Sequence, residues 1–123
     1  MTLTATARDQ MLNALDETPA APASGIGFVS LHTDALGGGT ANEVTGGSPA
    51  YARRPVVWNA ASGGSKVLSA GVTFDVPAGV TVRRVGLFSA STAGVYFGEG
   101  EITDEVYAAQ GTYQLTAATL SVT

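Results

Sequence analysis

The chain carries one histidine, His32, with Asp34 two residues on. With Glu43 brought in by folding, these could begin a metal site. A zinc or iron centre needs three or more convergent ligands at defined geometry, however, and one His and one carboxylate at this spacing do not specify it. His32 therefore reads as a strand-end histidine satisfied by hydrogen bonds. A Ser-His-Asp triad would have to use the same residue, and no serine lies in the Gly-x-Ser-x-Gly turn that exposes a hydrolase nucleophile. Glu99 and Glu101 flank Gly100, so on a strand they share one face at roughly the 5–10 Å separation of a glycosidase pair. Two like charges at that spacing also mark the solvated face of an edge strand, which is the reading adopted here. The residues thus predict no catalytic, cofactor-binding or metal-binding position, and no enzyme.

The other polar clusters lead the same way. Gly37-Gly38-Gly39-Thr40 lacks the Gly-Lys-Ser/Thr ending of a phosphate loop. Gly63-Gly64-Ser65-Lys66 lacks the helix whose N-terminus would hold an anion, so both clusters read as turns. Adjacent strand residues point to opposite faces, so Arg53-Arg54 and Arg83-Arg84 each place one guanidinium on each face. A buried arginine needs a carboxylate partner, and Glu43, Asp75 and Glu101 are the candidates. Arg53 and Arg54 are also candidate subunit-interface residues. Most aromatic residues read as core, with Tyr51, Trp58 and Tyr107 left to supply a sugar-stacking platform.

What must position these residues is one domain. The chain has 123 residues, 45% hydrophobic and 13% charged, against about 25% charged in an average soluble domain. Six Lys and Arg with a net charge of −4 cannot track a phosphate backbone, so nucleic acid is not an expected partner. The absence of cysteine excludes disulfides and thiolate sites. No apolar run approaches the ~18 residues of a membrane span, and the N-terminus lacks the pattern of a signal peptide.

Helical spacing of Ala7, Met11, Leu12, Ala14 and Leu15 predicts a helix over 4–16, within an N-terminal unit 1–18. A three-turn helix is marginal alone, so its stripe needs a surface, either the chain's own sheet or a neighbouring subunit. Met11, Leu12 and Leu15 are therefore candidate interface residues. Pro19 and Pro22 end the helix and open a Pro/Ala/Ser linker over 19–25. Residues 26–123 read as β throughout. Strands are expected over 26–32, 51–58, 66–69, 72–76, 80–89, 95–101, 111–115 and 119–122, with a long loop at 34–50 and a bulge at Arg83-Arg84. About eight short strands spaced by turns predict an antiparallel, jelly-roll-like β-sandwich carrying one short N-terminal helix.

The segments Val29-Ser30-Leu31-His32-Thr33-Asp34, Ala41-Asn42-Glu43-Val44-Thr45-Gly46-Gly47-Ser48, Tyr51-Ala52-Arg53 and Val57-Trp58 resemble a family of small actinobacteriophage virion proteins. These are described as tail fibre or minor structural, head decoration-like proteins. Val72-Thr73-Phe74, Val85-Gly86-Leu87-Phe88 and Gly111-Thr112-Tyr113 fit the same pattern, and the Pro49-Ala50 pair lengthens one loop relative to it. The resemblance implies a non-enzymatic virion component without cofactors, assembled in the host cytoplasm. It would act by symmetric assembly, as a trimer, with other virion proteins such as the major capsid or tail proteins. Two placements follow, a decoration or minor capsid protein on the capsid surface, or a tail or fibre component. The alternative is a carbohydrate-binding adhesin module contacting host cell-wall glycan, and a weaker one is a glycan hydrolase using Glu99 and Glu101.

Overall fold

A computed structural model describes residues 2–15 and 25–121 of the chain. The expected linker lies outside the described residues except for Gly25, as do the end of the expected helix at Asp16 and the end of the last strand at Val122. The elements run β1 (Thr2–Leu3), α1 (Ala5–Leu15), β2 (Phe28–His32), β3 (Arg54–Pro55), β4 (Ser65–Val67), β5 (Val72–Val76), β6 (Val80–Phe88), β7 (Tyr96–Tyr107), β8 (Gly111–Leu115) and β9 (Thr119–Ser121). Every pairing among them is antiparallel. The fold is an all-β sandwich with one short helix.

From Ser65 to Ser121 the chain forms one long ribbon folded on itself. Its tip is the turn after β6, where Ser89 N–H donates to Val95 O at 3.0 Å. β6 and β7 pair from there down to Val80↔Tyr107. Both strands then turn a corner together, at 77–79 and 108–110. They resume as β5 and β8 at Val76↔Gly111 with the register unbroken. Gly79 N–H closes the corner on Tyr107 O at 2.7 Å. Beyond a second interruption the ribbon continues as β4 and β9. Doubling at the corner lays β5–β8 over the five-stranded sheet β1-β7-β6-β2-β3.

The alternation in Val72-Thr73-Phe74-Asp75-Val76 explains why this works. Phe74 and Val76 point inward with no exposed surface, while Thr73 faces solvent. They share one core with Leu115 of β8 and with Val29, Leu31, Val82, Val85, Leu87 and Phe97 of the larger sheet. The layers are latched along one side by Arg54 Nη2 and Asp75 Oδ2 at 3.2 Å.

β2 is buried on both faces. Val29 and Leu31 point into the main core, whereas Ser30 and His32 face the other way and are also fully buried. The loop after β2 covers them, with Leu36 at its centre. Gly86 lies opposite Ser30 in the neighbouring strand. A Cβ at Gly86 would lie 2.5 Å from Ser30 Oγ and 2.7 Å from a Leu36 methyl, so the lack of a side chain there is what lets the loop close down.

Four expectations need correction. The strand expected over 51–58 is reduced to Arg54–Pro55 and a single bridge, Trp58↔Leu68, because the segment crosses from one layer to the other. β7 runs on to Tyr107, past the expected end at Glu101. It is also not an edge strand at Glu99, where β1 pairs outside it. The expected bulge is found, since Val82 pairs with Glu105 and Arg84 with Glu101, but it belongs to β7, where residues 102–104 stand opposite Arg83 alone.

Candidate functional site

The loop over 33–50 is tied to the sheet by two polar groups that the turns alone would not position. The first is His32. Its Nδ1 lies 2.8 Å from the Ala41 carbonyl oxygen, which can only accept, so Nδ1 carries the proton. Nε2 then accepts from the Ser30 hydroxyl at 2.7 Å. Burial pushes the imidazole below its ordinary 6.5, outweighing the Ala41 bond and the Glu43 charge that act the other way. His32 is therefore neutral, with both nitrogens satisfied. A Ser–His contact of this length is the first link of a nucleophile dyad, but both residues are sealed from solvent. Here it fastens the loop. Asp34 does not join it; its Oδ1 accepts from Ala35 N–H at 2.8 Å.

The second group is the pair Glu43–Arg53. Arg53 Nε donates to Glu43 Oε2 and Nη2 to Oε1, both at 2.9 Å, in a bidentate contact. Nη1 reaches across to the ribbon tip and donates to Ala90 O at 3.1 Å and Ala93 O at 2.9 Å. The guanidinium carbon lies 3.7 Å from the centroid of the Phe88 ring. Tyr51 completes the cluster: its hydroxyl donates to Glu43 Oε2 at 3.0 Å and accepts from Leu31 N–H at 2.9 Å. Burial alone would raise the Glu43 carboxyl, yet the bonds from Arg53 and Tyr51 prevail and hold it below its ordinary 4.5. Burial, with the Glu43 charge beside it, pushes the Tyr51 hydroxyl well above its usual range. One guanidinium thus joins three parts of the chain: the loop, the crossing segment and the ribbon tip.

Arg54, Arg83 and Arg84 also meet the expected class of partner, whereas Arg8 donates to the Leu3 carbonyl oxygen. Arg54 pairs with Asp75, Arg83 with exposed Asp104 at 3.2 Å, and Arg84 with Glu101 at 3.1 Å and Glu99 at 3.8 Å. Glu99 and Glu101 do share a face, with Arg84 set between them. The candidate sugar platform is taken up by the fold. Tyr107 is buried and donates its hydroxyl to Thr112 O, Trp58 Nε1 donates to Ile26 O, and the Tyr51 ring stacks on Phe74. Of the candidate interface residues, Leu12 is 63% exposed and Met11 half-buried, Arg53 is engaged as above, and Arg54 is half-exposed beside Asp75. The Leu15 side chain lies outside the described residues. Among the described residues, no three His, Asp or Glu side chains converge as metal ligands.

An open depression of about 420 Å³ lies over the Glu43–Arg53 pair, rimmed by Thr45, Ser91 and Thr92. A second, of about 580 Å³, runs between β7 and β8 beside Glu101, Asp104, Glu105 and Tyr113. Sequence reasoning named Glu43 as one possible arginine partner but missed Tyr51, Phe88 and the tip carbonyls, because no spacing rule connects positions this far apart.

The two tethers predict acid sensitivity. The unfolded chain has an ordinary histidine near 6.5 and glutamate near 4.5, whereas folding lowers both affinities for protons. As pH falls, the unfolded state takes up each proton first, so stability is lost below those values. The urea midpoint is expected to hold from about pH 8 to 7 and then fall continuously towards about pH 4. His32→Gln is expected to flatten the upper part of that fall. A midpoint that stays level from about pH 7 to 5 would show that His32 does not resist protonation.

A family model described as podophage GP4 fiber I protein gp80 matches residues 2–123. The chain belongs to this family. The gp80 match covers both the N-terminal segment and the sandwich, and it bears out the sequence resemblance to phage fibre proteins at that level. As a gp80 family member the chain is a structural component of the phage particle. No curated protein matches it.

Proposed function

We propose that this gp80-family chain is a non-enzymatic subunit of a phage tail fibre. It works by symmetric self-association, as a trimer, and by contact with neighbouring tail proteins. We prefer the fibre placement to the capsid-surface alternative, and the family match over nearly the whole chain is the observation that supports it. The side-chain chemistry supports the reading. The histidine, the half-buried glutamate and the buried arginine are all committed to holding a loop, a crossing segment and a ribbon tip together. In this reading the host is an actinobacterium, and the doubled ribbon is a jelly-roll-like scaffold. The N-terminal unit, 1–18, acts through a linker, 19–25, on the sandwich, 26–123. Met11 and Leu12, with Leu15 on the same sequence stripe, meet a second copy.

Two measurements test this. Sedimentation of the purified chain across a concentration series is expected to give an oligomer, and gold labelling of particles is expected to mark the tail fibre. Label on the capsid shell would overturn the placement. A chain that stays monomeric and binds isolated cell wall would replace assembly with the adhesin reading.

A further inference from the structure

The N-terminal segment rests on the sheet through a small, self-contained seat. Thr2 pairs with Glu99 and Leu3 with Gly98, and Thr4 N–H donates to Phe97 O at 2.8 Å. Gly98 is what admits it, since a Cβ there would collide with the Thr2 carbonyl. Beyond the seat the described part of the helix gains little burial. Among its described side chains Ala7 is buried, Met11 is half-buried, and Leu12 is 63% exposed. An eleven-residue helix is marginal in water unless its apolar side is covered.

The strand pairing itself is made by β7 backbone, so the seat does not distinguish the chain's own arm from that of an identical copy. The arm's own tether favours the intramolecular choice through effective concentration. New burial between copies favours exchange. Residues 16–24 span up to about 30 Å when extended, enough to reach an adjoining molecule. In an exchanged arrangement the helix lies between two sandwiches, its Ala7 side on one and its Leu12 side towards the other. That contact covers the apolar surface which the single chain leaves in water.

We propose that in the assembled protein β1 and α1 are exchanged, each seated on β7 of a second copy of this chain. This rests on the reading of the protein as a self-assembling subunit, and the test separates the two. The chain has no cysteine, so single thiols report without background. Thr2→Cys and Glu99→Cys chains are co-expressed and oxidised, and peptides joining positions 2 and 99 are sought by mass spectrometry, with sedimentation on the same sample. The cross-strand pairing of these residues suits a disulfide. Exchange predicts an oligomer in which most linked material joins two chains through residues 2 and 99. An oligomer without that cross-chain link, whatever the double variant Thr2→Cys/Glu99→Cys forms within one chain, overturns exchange and leaves assembly standing. A monomer overturns both.

Discussion

Replacing Arg53 by methionine is expected to lower the unfolding free energy by about 3–5 kcal/mol, the usual cost of stranding one partner of a buried ion pair. The arginine side chain is 4% exposed and Glu43 17%, so water cannot readily take over the guanidinium's role. Methionine keeps an apolar stem over Phe88, so the loss reports the polar contacts. Four bonds go together: two to Glu43 and two to the carbonyls of Ala90 and Ala93. Glu43→Gln is expected to cost less, because a neutral amide still accepts from Arg53 and from Tyr51. The pair Arg53→Met with Glu43→Leu should recover part of the loss, since it removes the stranded charge as well. Urea denaturation of the three variants decides the matter. A cost below about 1 kcal/mol for Arg53→Met would mean that the pair behaves as a solvated surface bridge.

The second large effect is at Phe74. Truncation to alanine is expected to cost about 3–5 kcal/mol through lost burial and the cavity left behind. Phe74 is fully buried on β5, and its ring lies 6.4 Å from that of Tyr51 at an interplanar angle of 16°. It fills the space between the folded-over part of the ribbon and the larger sheet. Because Phe74, Leu31 and Val85 belong to one cluster, the variant should still unfold in a single transition at a lower midpoint. Two separate transitions would show that the layers hold together independently.

The parts of this fold legible in the sequence are those where local pattern and tertiary demand agree. Val72–Val76 and Gly111–Leu115 have bounds readable from sequence because turn residues flank them and period-two alternation matches a strand with one face on the core. The far half of β7 was not legible. Thr103, Asp104 and Glu105 are exposed, and residues 102–104 bulge against Arg83, so neither hydrophobicity nor alternation marks a strand there. β1 is two residues long and exists only because Gly98 lets it approach. At the site, burial of an arginine against a carboxylate followed from charge physics alone. The choice of Glu43, and the reach of the same guanidinium to Ala93, depended on where the ribbon tip lands. That is set by the whole topology.

The doubled ribbon bears on how the chain finds its native state. Its pairings are nested about one short turn, so each new rung closes only a small loop once the preceding rung has formed. Val80 and Tyr107 are distant along the chain, yet zippering from the turn brings them together by increments, avoiding the entropy of one wide closure. Sheets with many remote contacts ordinarily fold slowly. Here the tip after β6 is the expected nucleus, and substitutions there should slow folding more than those in β4 or β9, which join last.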